Sequence, residues 1–134
     1  MAYCVQDDIL EQLEEALLVQ LTDDAGAGAA DSDKVVRAIE DADATIDAYC
    51  QRRYTVPLSP VPDKIRQLSV DIAVYNLYSR KGDAAPEVRK DRHKEAIRFL
   101  EKVSEGKIKL GAAAPAPDNT ADTVSISSND RIFT

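Results

Sequence analysis

The sequence predicts an all-α fold: a compact four-helix domain built around a central buried helix at about residues 63–79, followed by an extended C-terminal arm. Three observations carry this reading. Apolar residues recur at spacings of three and four through three separate stretches, the mark of one buried helical face. A fourth stretch places Ile65, Leu68, Val70, Ile72, Val74, Tyr75, Leu77 and Tyr78 on nearly every face, as in a helix covered by neighbours on several sides. Charged residues make up 31% of the chain and aromatics 5%, with no tryptophan, which favours helices over a β-sandwich. The 134 residues suit one domain with a real core. We divide them into a helical body over residues 1–110 and a linker with a docking arm over 111–134.

The first helix is predicted from Asp7 to Gln20. Ile9, Leu10, Leu13, Leu17 and Leu21 form its apolar face, and Glu11, Glu14 and Glu15 cover its outer face. Asp7 and Asp8 sit where carboxylates favour the helix dipole. Thr22 to Ala30 reads as a mobile loop of glycine, alanine and aspartate. Its Gly26-x-Gly28 is no dinucleotide fingerprint, because Asp31 takes the third glycine's place and a helix precedes it.

The second helix is predicted over Ser32–Arg52, with Asp31 or Ser32 as N-cap. Val35, Ile39, Ala42, Ile46 and Tyr49 form its buried stripe. Asp41, Asp43 and Asp47 are expected on a solvated acidic face. Asp41-Ala-Asp43-Ala-Thr45 has the spacing of a phosphatase motif, but that chemistry needs a strand end in an α/β fold. Nor is this an EF-hand loop, since Arg52 stands where the twelfth-position glutamate belongs.

Residues 49–62 form a connection punctuated by Pro57, Pro60 and Pro62, through which no helix runs. Arg52, Arg53 and Tyr54 end the second helix, where cations suit the dipole. Val56 and Leu58 are expected to tuck under the central helix. That helix starts behind Pro62 and Asp63 and stops at Arg80-Lys81-Gly82-Asp83, cations and then a glycine. Tyr75 and Tyr78 read as core, with a stacking platform for bases as the competing use.

The fourth helix is predicted from Pro86 to Glu105, with Gly106 at its end. Ala96, Phe99, Leu100 and Val103 form its buried stripe, with Val88 at its start. The run Glu87 to Glu95 reads as a solvated face of alternating charge, or as a phosphate-binding face. His93 is the single histidine and has no cysteine, serine or second histidine to make it catalytic or metal-binding. Gly111 to Pro117 is a low-complexity linker. Beyond it Val124 and Ile126 alternate with serines, and Arg131, Ile132 and Phe133 close the chain. We take Val124, Ile126, Arg131, Ile132 and Phe133 as the candidate docking residues for another chain, by strand addition; plain disorder is the competing reading.

Charge is divided along the chain. Residues 1–51 carry 13 acidic and 2 basic side chains, and residues 52–110 carry 14 basic and 8 acidic. Either the two halves attract within one subunit, or an acidic face of one copy meets a basic face of the next. The net charge of −7 makes a poor general DNA binder. Cys4 and Cys50 match no zinc or redox spacing and are expected as free thiols. No apolar run approaches the ~20 residues of a membrane span, and no signal peptide is visible at the N-terminus. No catalytic, cofactor or metal constellation is found, so an enzyme is not expected.

Several of these residues together resemble a known family. Tyr3…Asp7-Asp8-Ile9, Ile46-Asp-Ala-Tyr49…Arg53-Tyr54, Val56-Pro57-Leu58, Val61-Pro62, Ile72-Ala-Val-Tyr75…Leu77-Tyr78 and the ending Asp130-Arg131-Ile132-Phe133 are similar to a family of small proteins from Mu-like phages and prophages, formerly a domain of unknown function. The resemblance covers nearly the whole chain. It implies a head–tail joining, or neck, protein: an α-helical subunit that assembles with itself, commonly as twelve copies, into a ring beneath the portal. The implied partners are the portal protein and a tail-completion or tail-terminator protein, with DNA passing through unbound. The implied locations are the host bacterial cytoplasm during assembly and the virion neck. Two other readings stay open. One is a small helical protein-binding regulator acting as monomer or dimer. The other is nucleic-acid binding through Arg89, Lys90 and Arg92.

Overall fold

The computed structural model describes residues 2–82 and 84–111. Within them the chain forms five helices and no strand: α1 (Gln6–Leu10), α2 (Glu15–Thr22), α3 (Ser32–Cys50), α4 (Asp63–Lys81) and α5 (Glu87–Ser104). The all-helical prediction holds. The candidate arm lies outside the described residues.

The one added element comes from a break in the first predicted helix. The Gln12 and Leu13 amides both close on the Ile9 carbonyl at 2.9 Å, and Glu14 then turns extended at φ −66°, ψ 147°. In a straight helix Leu18 would stand about 100° away from Leu17 and off the apolar stripe. The break re-aims α2, so that Leu13, Leu18 and Leu21 are all buried while Leu10 and Leu17 are half-buried. A break also frees carbonyls from their helical partners. That of Gln12 accepts from Arg89 Nη2 at 3.0 Å, and its side-chain Oε1 accepts from Arg92 Nη1 at 2.9 Å. The basic helix α5 thus holds the acidic N-terminal hairpin at its corner.

Loop 23–31 is closed by local bonds. The Asp23 carboxylate accepts from the Ala27 and Gly28 amides at 2.8 and 2.7 Å, and Thr22 Oγ1 accepts from the Asp31 amide at 3.0 Å. Asp31 is the N-cap of α3, accepting from the Asp33 amide at 3.0 Å.

Helix α4 is the centre, as its apolar pattern requires. It packs against α1, α2, α3 and α5 and buries Ile65, Leu68, Val70, Ile72, Ala73, Val74, Leu77 and Tyr78. It stops at Gly82, whose φ of +81° is costly for a side-chain-bearing residue. From α3 come Val35, Ile39, Ala42, Ile46 and Cys50, and from α5 come Ala96, Leu100 and Val103. Tyr78 is core; Tyr75 is half-buried and stacks on His93 with ring centroids 4.0 Å apart. Val88 departs from expectation. It is 56% exposed because eight residues before Ala96 it stands about 80° off the buried stripe, while Ala85 packs on the core and Arg89 reaches Gln12. In the connection, Leu58 is fully buried and Val56 half-buried, between cis peptide bonds at Val56–Pro57 and Ser59–Pro60.

Candidate functional site

Three places gather polar chemistry. The first is a buried polar cluster under the N-terminus. The Tyr3 amide donates to Asp43 Oδ2 at 3.0 Å, and the Ser69 hydroxyl donates to Asp43 Oδ1 at 2.8 Å. Ser69 Oγ also lies 3.1 Å from Cys4 Sγ. The Tyr3 hydroxyl donates to the Asp47 carboxylate and accepts from the Leu58 amide at 2.8 Å. Six positions scattered from residue 3 to residue 69 thus share one network. Burial raises the pKa of Asp43, and the hydrogen bonds from Ser69 and Tyr3 only partly oppose it. Burial likewise raises the Tyr3 phenol, helped by its bond to Asp47. The Cys4 and Cys50 thiols are buried and free, both pushed up to about 11, chiefly by burial. Every strong acceptor in the cluster is already partnered, so its chemistry is to fix the chain.

This corrects the solvated acidic face expected for Asp41, Asp43 and Asp47. Asp41 is exposed, Asp47 half-buried, and Asp43 only 8% exposed. A signal was available. Asp43 lies four residues after Ile39 and three before Ile46, on the buried stripe by spacing. A carboxylate there signals a buried partner.

The second place is the root of the C-terminal segment. Arg53 Nε and Nη2 donate to the Ser104 and Glu105 carbonyls, both at 3.1 Å, capping the last turn of α5 with a cation. The Tyr54 hydroxyl accepts from the Leu110 amide at 2.8 Å. Arg53 was expected to serve the end of its own helix; the structure hands it to α5. Gly106, at φ +81°, lies so close that a Cβ there would sit 2.9 Å from the Arg53 guanidinium carbon.

The third place comprises the open surfaces. Asp24 gathers Lys34 at 3.2 Å, Arg80 at 2.6 Å and Lys81 at 3.4 Å, and these hydrogen bonds lower its pKa to about 2. Here the acidic and basic halves do attract within one subunit. Elsewhere they stay apart. Lys90, Lys94, Arg98 and Lys102 form an exposed row along α5, while Asp33 and Glu40 are exposed on α3 and Asp41 pairs there with Arg37 at 3.8 Å. Of the residues considered for nucleic acid, Arg89 and Arg92 are turned onto Gln12; Arg89 is half-buried, while Lys90 and Arg92 are exposed. Between the N-terminal segment and α3 runs an apolar groove of about 310 Å³, lined by Ala2, Cys4, Val5, Gln6, Val35, Val36, Ile39, Glu40 and Asp43. Val5 and Val36 on it are 55% and 52% exposed. The candidate docking residues Val124, Ile126, Arg131, Ile132 and Phe133 lie outside the described residues, so the structure brings none of them to a site.

No group of three His, Cys, Asp or Glu side chains among the described residues is placed to hold a metal ion. None of the described helices is long and apolar enough to cross a membrane.

Comparison with known proteins places this architecture. The family model described as Bacteriophage Mu, Gp36 matches residues 3–128. The chain is 37% identical over 109 residues to the Mu-like prophage FluMu protein gp36 of Haemophilus influenzae, covering 81% of this chain and 75% of that one. It is 26% identical over 137 residues to gene product J of Escherichia phage Mu, covering 99% of this chain and 94% of that one.

Proposed function

The chain belongs to the Bacteriophage Mu Gp36 family and is a Mu-like phage protein, and from that premise we propose that it is a structural head–tail connector rather than an enzyme. In this reading copies assemble as a ring, commonly of twelve, beneath the portal, and the ring receives a tail-completion or tail-terminator protein. It works in the host cytoplasm during assembly and then in the virion neck. DNA passes through a ring of net-negative subunits without specific binding, since like charges repel.

The observation that carries the proposal is the opposite charge left exposed on two faces of the subunit. One node at Asp24 joins the halves, yet the α5 row and the outer face of α3 keep opposite charges exposed. Opposite faces on one molecule favour a heterologous contact, and such contacts close into rings when the rotation allows. The C-terminal root supports the same reading, because Arg53 and Tyr54 give residues 111–134 a fixed point of departure from the helical body.

Native mass spectrometry of the full chain, alone and mixed with its portal, tests this. One ring of subunits per portal is the expected result. A protein that stays monomeric or dimeric and ignores the portal would replace the connector with the small protein-binding regulator. Deleting residues 112–134 should leave helical signal and cooperative melting intact while abolishing assembly.

A further inference from the structure

We propose that the groove between the N-terminal segment and α3 is the receptor for the chain's own C-terminal end, with Arg131-Ile132-Phe133 of one copy docking on the next copy. The inference rests on the ring reading and names the contact that would link neighbours.

The receptor side is fully described. Among the described residues, Val5 and Val36, 55% and 52% exposed, are with Val88 the large apolar side chains left exposed. They flank a floor made by Cys4, Val35 and Ile39, all of them core residues. Exposed apolar side chains over an apolar floor invite cover, because removing apolar surface from water is favourable. The groove of about 310 Å³ suits a pair of side chains better than a larger ligand. Its rim is acidic. Asp43 is taken up by Tyr3 and Ser69, but Glu40 is exposed on the same turn of α3. The matching partner is therefore apolar with one cation beside it.

The last residues of the chain have that composition: one cation, Arg131, next to Ile132 and Phe133. An arginine offers a carboxylate two parallel donors, which would fix the register of the apolar pair. The ring reading makes a second copy the donor, and reach allows it: the 20 residues between Leu110 and Arg131 can span up to ~66 Å, well beyond the ~28 Å length of α3. The arm leaves from Leu110 beside Tyr54, after the C-terminal end of α3, whereas the groove lies along that helix's first half. Root and receptor at opposite ends of one helix make a head-to-tail link, the heterologous kind that propagates around a ring. A groove of about 260 Å³ beside Asp8 and Glu11 offers Val70 as its one apolar side chain and gives an apolar pair little to bury against, while a groove of about 360 Å³ between α4 and α5 is lined by Lys64, Arg92, Arg98 and Lys102 against Asp71 and Glu95. Its cations oppose Arg131, and it is the less suitable receptor.

The test uses the full chain with a photo-crosslinking benzoyl-phenylalanine in place of Phe133, mixing ordinary and nitrogen-15-labelled copies, with and without portal. The expected products join position 133 to residues 2–6 or 35–40 and carry one light and one heavy partner. Val36→Lys should cut their yield roughly tenfold, since it forces a cation against a desolvated contact. Glu40→Arg should do likewise, and Arg131→Glu in the same chain should restore it. Val36 and Glu40 are exposed, so circular dichroism should be unchanged in each variant. Crosslinks confined to single copies, crosslinks into the α4–α5 groove, or no crosslink to either groove each overturn the proposal. Rings on the portal with crosslinks elsewhere would sink the docking contact and leave the connector standing. Intermolecular crosslinks in the groove without any portal complex would do the reverse.

Discussion

The Tyr3 hydroxyl accepts the Leu58 amide at 2.8 Å, so the third residue of the chain fixes the middle of the proline-rich connection 55 residues away. The same hydroxyl donates to Asp47 on α3. One phenol oxygen therefore joins the N-terminal segment, the second long connection and the longest acidic helix. Removing it by Tyr3→Phe keeps the ring's packing and leaves the buried Leu58 amide without an acceptor. The expected cost is about 1–3 kcal/mol, read as a lower urea midpoint with an unchanged slope. A variant as stable as the parent would mean that water replaces the phenol.

Arg53 and Gly106 are coupled through the end of α5. Arg53→Ala removes two hydrogen bonds to backbone carbonyls and should cost on the order of 1 kcal/mol at this exposed site. Gly106→Ala adds the strain of a side chain at positive φ, about 1–2 kcal/mol, and also drives a methyl into the guanidinium. In the double variant that second penalty vanishes, so the two losses sum to more than the double loss. Strict additivity in a double-mutant cycle would refute the coupling.

Asp24 gives the fold a pH and salt dependence of known sign. Its pKa is lowered to about 2 by Arg80 and Lys34. A depressed carboxylate adds stability that is present above the unfolded-state pKa, ~3.9, and is lost as pH falls through the folded value. The melting temperature of Asp24→Asn should therefore lie below the parent's at neutral pH, with the gap closing as pH falls from about 4 to about 2. Added salt should narrow it too, because these groups are screened by solvent. Asp43 acts in the opposite sense. Its raised pKa favours folding while it is protonated, and that contribution is lost as pH rises through the raised value.

The thiols report on the integrity of the body. Both are buried with pKa near 11, so the thiolate is scarce at pH 8 and has no access to reagent. Iodoacetamide should leave native protein unmodified over the time in which denatured protein gains two adducts per chain. Rapid labelling of Cys4 alone in the native state would show that the N-terminal segment opens locally.

Much of this fold was legible in the residues. The all-round apolar pattern of 65–78 marked the central helix, and Gly82 and Gly106 marked helix ends, because backbone geometry at those points is a local property. The division of 7–20 into two helices was not legible. Ile9, Leu13, Leu17 and Leu21 satisfy a single straight helix, and the burial of Leu18 needs the break, with Arg89 and Arg92 taking up the polar groups of Gln12. Val88 is a matter of register: eight residues before Ala96 it lies about 80° off the buried stripe, which the spacing already contained.

The sequence by itself determined an all-helical body, its central helix, the charge division and the family, since each depends on periodicity, composition or motif along the chain. Tertiary structure alone decided that Asp43 is buried beneath Tyr3, that Arg53 caps a helix other than its own, and that Val5 and Val36 flank an open groove. Those are relations between residues 40 or 50 positions apart, or between a side chain and a neighbour that is absent. Hydrophobic periodicity carries no record of which long-range partner satisfies a buried charge, and that partner is what makes the burial tolerable.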